Sequence, residues 1–333
     1  MAVLKGLMKW LASLLLVASG LLGGAFWWVQ HPLDTRQATL DLSIEPGTSA
    51  KAIAQAVADA GAQNSPELLY AWFRLSGQSR QMRAGSYEIA PGTSPQRLLS
   101  MLVRGEESLR TVTVVEGWNW RQVRQALAKA ENLRPDSRAL TDEALMIQLG
   151  RPGVAPEGRF YPDTYSYAKG TSDLAVLQRA MKAMDKHLQQ AWAARQPDAS
   201  LQSPEQALIL ASIVEKETGK AQDRAQISGV FNNRLRIGMR LQTDPTVIYG
   251  LGEAFDGNLR RVHLTTDNPW NTYTRSGLPP TPIAMPGKAS LLAAVQPAKT
   301  SAIYFVAKGD GSSHFSVTLD EHNRAVNRYQ RGQ

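Results

Sequence analysis

Two carboxylates close an apolar helical stretch, in Ile213-Val214-Glu215-Lys216-Glu217-Thr218-Gly219. A carboxyl group at a dry helix end is a candidate general acid, because burial and the negative end of the helix dipole both disfavour its ionised form. Glu215 and Glu217 lie about 200° apart around a helix of 3.6 residues per turn, so they cannot share one pocket. The residues three, four and seven before Glu217 are Val214, Ile213 and Leu210, whereas those before Glu215 are Ser212, Ala211 and Leu208. Glu217 therefore has the drier stripe and is the candidate acid. The competing reading is a solvated helix end, since Glu-Lys-Glu is also an ordinary surface feature.

A glycosidic bond is the substrate best served by a lone glutamate of raised pKa, because the leaving oxygen needs a proton as an oxocarbenium-like centre develops. Hydrolysis normally uses a second carboxylate. Glu157, Asp163, Asp244 and Asp256 are available, and each also reads as a turn, loop or helix-cap residue. Without a second carboxylate, a muramyl sugar can supply its own C6 hydroxyl and close a 1,6-anhydro ring. The five histidines are scattered and no HExxH occurs, so no metal site is expected. No G-x-S-x-G elbow and no phosphate-binding loop is present.

The helix that carries Glu217 is well marked. Ser203 suits the N-cap, Pro204 the first helical position, Gln206 a capping box, and Gly219 the left-handed closing residue. Ala207 to Val214 is apolar nearly all round, which predicts burial. Polar residues from Gln196 to Ser203 precede it. After it come a helix with Ile227, Val230, Phe231 and Leu235 on one face, and the segment Asn268 to Gly287, whose prolines keep the backbone extended and whose aromatics and amides suit a sugar groove. A packed connector with Trp270 and Tyr273 turned inward is the alternative. A hairpin is predicted from Ile303-Tyr304-Phe305-Val306 and His314-Phe315-Ser316-Val317, followed by a helix capped by Thr318.

At the other end, 20 uncharged residues run from Trp10 to Val29, preceded by Lys5 and Lys9 and edged by tryptophans. This pattern predicts one membrane-spanning anchor with a cytoplasmic N-terminus, a cleaved signal peptide being the competing reading. The rest of the 333-residue chain is expected outside the cytoplasmic membrane. Absence of cysteine removes disulfides and thiolate chemistry. The net charge of +8 is dispersed, without a nucleic-acid-binding signature, so an anionic wall polymer or the membrane surface is the expected partner. Ile44-Glu45-Pro46-Gly47-Thr48-Ser49 recurs as Ile89-Ala90-Pro91-Gly92-Thr93-Ser94, each a strand end, turn and helix cap. The order through Ala90 reads strand, helix, helix, strand and resembles the LysM module, which binds chains containing N-acetylglucosamine. A weaker third copy follows, with a strand from Thr111 to Val115 and a helix from Trp120.

Ala211 to Thr218, Arg234 to Gly250, Asn271-Thr272-Tyr273 and Gly277-Leu278-Pro279-Pro280 together resemble the endolytic murein transglycosylase, or YceG-like, family. The resemblance covers nearly all the chain after the anchor. It implies a single-pass inner-membrane enzyme with a periplasmic catalytic part that cuts nascent peptidoglycan strands, leaves 1,6-anhydro-N-acetylmuramic ends and limits strand length. Glu217 is the implied acid and then base, with no cofactor, and Glu217-Thr218 is locally similar to the Glu-Ser pair of other lytic transglycosylases. Substrate contacts are expected from Gln242, Thr243, Asn271 and Tyr273, and penicillin-binding synthases are expected partners. The predicted fold class is α+β, with an anchor over 1–33, a LysM-like part over 34–107, a connecting α+β region over 108–202 and a catalytic domain over 203–333. The rivals are a muramidase with a second carboxylate and a noncatalytic wall-binding scaffold.

Overall fold

The computed structural model describes residues 2–35, 39–217 and 220–332. It is a mixed α and β structure whose chain divides into two compact units, Met1–Arg110 and Thr111–Gln333.

The first unit opens with α1 (Ala2–Gln30). Its segment Ser13–Gln30 is the one described helix long and apolar enough to cross a membrane, as an anchor or as a signal sequence. Leu14, Leu16, Leu21, Leu22 and Phe26 are exposed, whereas Val29 at the end of the helix is buried. Next come β1 (Leu40–Ile44), α2 (Ala50–Asp59), α3 (Pro66–Leu75), β2 (Gly85–Ile89) and α4 (Pro95–Arg104). The strand-helix-helix-strand order expected from the sequence is therefore present. β1 pairs antiparallel with β2, Leu42 opposite Tyr87, and Leu40, Leu42 and Ile44 point into a core with Ile53, Val57, Leu69 and Phe73. The repeated Pro-Gly-Thr-Ser sequence has one physical cause in both copies. Gly47 and Gly92 take positive φ (86° and 84°), where a side chain would be strained. The following threonine hydroxyls donate to the carbonyls of Glu45 and Ala90, and Ser49 and Ser94 then cap α2 and α4.

β3 (Leu109–Thr113) runs from the first unit into the second, which contains α5 (Trp120–Lys129), α6 (Asp142–Gln148), β4 (Thr164–Ala168), α7 (Asp173–Ala193), α8 (Pro204–Glu217), α9 (Ala221–Arg236) and α10 (Asp244–Leu251). A 3-10 turn at Gly252–Ala254, α11 (Arg261–Thr265), α12 (Lys288–Val295), β5 (Tyr304–Ala307), β6 (Ser313–Ser316) and α13 (Leu319–Gln330) complete it. β3 pairs with β4, and Tyr165 and Tyr167 of β4 alternate into a core with Phe160, Trp120 and α7. From sequence this aromatic stretch reads as loop. Only two side chains of period-two alternation, set between Pro162 and Gly170, left the strand unmarked.

The other core is built on α8. Every residue from Ala207 to Val214 is buried, against α7, α9 and α12. α12, whose Leu291, Ala293, Ala294 and Val295 are buried, has no period that separates it from the Pro-rich segment before it. The start of α8 differs in one bond from the predicted capping box. Ser203 Oγ accepts the Gln206 amide, but Gln206 Oε1 turns to the amide of Gln202 instead of that of Ser203. Thr218 and Gly219 lie outside the described residues, and with them the expected helix-closing glycine. Asn268 to Gly287 carries neither helix nor strand, β5 and β6 form the expected antiparallel hairpin, and Thr318 caps α13 with Glu321 in a full capping box.

Candidate functional site

Glu217 ends α8, where the helix leaves the core. Its carboxylate accepts a hydrogen bond from the Thr243 hydroxyl. Burial pushes its pKa up to about 7, and the charge of neighbouring Asp244 pushes the same way; the Thr243 hydroxyl and the Arg234 guanidinium pull back without cancelling the rise. Near neutral pH this group is divided between acid and base. Glu215 is also withdrawn from solvent, so dryness does not separate the two glutamates as their sequence stripes imply. Their partners do. Glu215 accepts the Gly287 amide at 2.9 Å and stands 3.9 Å from Arg224, whereas Glu217 meets a hydroxyl and the field of a second carboxylate.

The Glu215 face of α8 is tied to a strap. Ser212 Oγ accepts the Ile283 amide at 3.0 Å, one helical turn before Glu215 takes that of Gly287. Met285 between them exchanges backbone bonds with Gly117 and Trp118. Lys216 donates to the Gly117 carbonyl. These bonds fix the rotation of α8 and so the direction in which Glu217 leaves it.

Thr243 is held by a second set of contacts. Gln242 adopts φ +47°, uncommon for a residue with a side chain, and its amide donates to the Thr272 carbonyl. The Thr243 amide donates to Thr272 Oγ1 at 3.1 Å, and Thr246 and Thr272 share a hydroxyl bond at 2.8 Å. The hydroxyl of Thr243 makes no cap bond to α10, so it is left for Glu217. Asp244 is the first residue of α10 with Thr243 as its N-cap, one position later than the cap role read from sequence. Its carboxylate accepts the Tyr273 hydroxyl at 2.6 Å.

Four sequence-predicted contacts thus fall in two adjoining segments, but with different roles. Thr243 touches Glu217, Tyr273 reaches it through Asp244, and the Gln242 side chain is exposed beside them. Asn271 is fully buried. Its amide donates to the carbonyls of His263, Leu264 and Thr266 and its oxygen accepts the Tyr273 amide, so its groups are spent on shaping the loop.

Arg234 was not singled out from sequence. It is buried, donates to the carbonyls of Ile303 and Leu241 at 2.7 and 2.5 Å, and is the cation nearest in effect to Glu217. Its spacing, three, four and seven residues after Phe231, Val230 and Ile227, puts it on the apolar face of α9 and was the available signal.

The other weighed carboxylates separate clearly. Asp163 accepts the amide of Thr164, and Asp256 accepts that of Asn258 and pairs with Arg260, both as turn residues. Glu157 lies in the turn that its glycine neighbour implies, yet it is not solvent-exposed there. It is buried at the N-terminus of α5, where both oxygens lie about 3 Å from the Trp120 amide, and burial lifts its pKa to about 7 against bonds from Trp120 and Tyr249. Among the described residues no group of three His, Asp or Glu side chains is close enough to hold a metal ion.

The chain that carries this site has known relatives. The model of the YceG-like family matches residues 42–328, and the chain belongs to that family. It is 30% identical over 330 residues to an endolytic murein transglycosylase of Bacillus subtilis (strain 168), covering 93% of this chain and 91% of that protein. An endolytic murein transglycosylase of Streptococcus pneumoniae serotype 2 is 25% identical over 355 residues, with 94% of this chain and 64% of that one covered. The fold is similar to the crystal structure of a yceG-like protein from Listeria monocytogenes, with a TM-score of 0.53 and 26% identity over 86% of this chain and 98% of that one.

Proposed function

We propose that this protein is a peptidoglycan lytic transglycosylase that cuts the bond between N-acetylmuramic acid and N-acetylglucosamine inside nascent strands. The observation that carries the reading is the buried Glu217 carboxyl at the end of an apolar helix, hydrogen-bonded by Thr243, where burial raises its pKa. The names of the relatives give it its substrate.

Glu217 as an acid gives its proton to the glycosidic oxygen while the C1–O bond of the muramyl sugar breaks. The muramyl C6 hydroxyl attacks C1 and passes its proton to the Glu217 carboxylate. One bond breaks, one forms, the proton on Glu217 is restored and no water is consumed. The product is a 1,6-anhydro end. Thr243 holds the carboxylate in place between the two transfers. Tyr273 anchors Asp244, whose charge favours the proton on Glu217, and the exposed Gln242 side chain contacts the substrate.

α1 serves as the inner-membrane anchor, with Lys5 and Lys9 on the cytoplasmic side and the rest of the chain periplasmic. The β1-α2-α3-β2 part, whose element order resembles that of a LysM module, binds glycan. Penicillin-binding synthases are its proposed neighbours, since nascent strands emerge from them.

Asp244 gives a second reading a foothold. It is the one weighed carboxylate whose charge acts on Glu217, and as a base for water it would make the enzyme a muramidase. For either reading, purified Glu217→Gln on uncrosslinked strands should lose about 10²–10⁴-fold in cleavage rate with an unchanged circular dichroism spectrum. Retained cleavage by a folded variant removes Glu217 from the chemistry. A wild type that binds strands and never releases fragments supports the scaffold reading.

A further inference from the structure

A cleft of about 700 Å³ lies along α10, on the side reached by Lys216 and Pro245. These two residues adjoin Glu217 and Asp244 in sequence, and consecutive Cα atoms are about 3.8 Å apart, so the cleft lies in the neighbourhood of the candidate acid, and Glu217 itself is not in its wall. Its sides are aromatic. Tyr249 and Trp270 meet edge to face at 5.5 Å, and Phe255, half-exposed, belongs to none of the hydrophobic cores.

Its polar groups are few and convergent. Glu157 bonds the Trp120 amide in the floor, and Arg121 and Glu253 meet at 2.7 Å from α5 and the 3-10 turn. That pair is solvent-exposed, so it contributes at most about 1 kcal/mol and parts readily. A roomy cavity with aromatic walls and a handful of placed hydrogen-bonding groups is the usual form of a ligand site. Sugar rings match this one. Their C–H faces pack on aromatic rings, and their hydroxyl and N-acetyl groups take up the edge donors and acceptors.

We propose that this cleft is a glycan subsite holding a disaccharide unit of the strand beyond the bond that Glu217 cuts, and that filling it confines cleavage to the interior of strands. A strand end too short to reach the cleft forfeits its binding energy. The proposal rests on Glu217 being the acid, and the two are tested separately.

The binding arm uses the full chain in detergent carrying Glu217→Gln, titrated by calorimetry with peptide-free, uncrosslinked glycan oligomers of defined length. Affinity should rise with length until the cleft is filled. Phe255→Ala and Arg121→Ala should each weaken binding of the long oligomers about tenfold, the scale of one lost aromatic or polar contact, and leave that of the shortest unchanged. With Glu217 intact, the same substitutions should raise KM for long strands, leave kcat within about twofold, and flatten the dependence of kcat/KM on length. Should Phe255→Ala unfold, the exposed Arg121→Ala decides alone. Folded variants that bind long oligomers as tightly as the parent overturn the subsite, as does a parent that binds no oligomer. If the parent cleaves nothing while the cleft substitutions still weaken binding, the catalytic reading fails and the subsite stands.

Discussion

At Glu217 two neighbours push the proton in opposite directions, which makes their roles separable by pH. The Thr243 hydroxyl favours the carboxylate and the Asp244 charge favours the acid. With Glu217 as the proposed acid, cleavage requires its protonated form, so the rate should fall as pH rises through about 7. Thr243→Val removes the bond without changing shape much. It should move this alkaline limb up by about one to two pH units, since a hydrogen bond to a charged group is worth about 1.5–3 kcal/mol and one unit is 1.36. Asp244→Asn should move it down. A pH–rate profile of kcat/KM for each variant checks both, and a limb that stays put in both assigns it to another group. Glu157 gives a stability counterpart. Its folded pKa exceeds the ordinary 4.5, so the folded state binds the extra proton and stability falls as pH rises from about 4.5 to about 7. The rise is worth about 3 kcal/mol at most. Glu157→Gln should therefore stabilise the protein more, or destabilise it less, at pH 8 than at pH 5 in parallel thermal melts. Equal effects at both pH values would show that Glu157 does not carry this proton. The helix position of Glu217 was legible in the sequence, because apolar neighbours three, four and seven residues back survive any fold. What dries Glu157 was not, since Trp120 and Tyr249 are 37 and 92 positions away in the chain and nothing local records their approach.

Among the elements, α8 was readable and its partners were not. Its cap, its Pro204 and its unbroken apolar run are local signals, whereas α12 announces no face of its own because nearly all its sides are covered. The strand β4 was hidden for a different reason, its two inward tyrosines lying in a short stretch whose flanking proline and glycine point to loop. α9 provides the test of close packing. A Cβ at Gly229 would stand 2.7 Å from the Ala298 carbonyl oxygen and 2.8 Å from Thr300 Cγ2. Alanine gains about 1 kcal/mol of helix propensity there, but the obstacle includes backbone, and such overpacking typically costs about 1–3 kcal/mol. Gly229→Ala should come out net destabilised in urea unfolding. A stabilised variant would mean that the 298–300 segment yields freely.

At the scale of the molecule, the sequence marked the apolar N-terminal helix, the echoing turns and the α+β character, while the division after Arg110 follows from contacts made far along the chain. The end of α1 also packs on the first unit. Val29 and Leu33 are buried, Trp28 packs on the core of the first unit, and the Leu33 amide donates to the Thr93 carbonyl. Truncation after Ala25 should therefore release a soluble, folded protein that still cuts detached strands, whereas truncation after Leu33 should lower the melting temperature by several degrees. Equal melting temperatures for the two would detach α1 from the fold. The central claim is that one carboxyl group moves a proton out and back while the sugar supplies the nucleophile. The mass of the newly made ends, from purified protein acting on uncrosslinked strands, tests it most directly. The account predicts muramyl ends lighter than reducing ends by one water, from the wild type and not from Glu217→Gln. Reducing ends that carry oxygen from labelled water would contradict it and make Asp244 the base of a hydrolase.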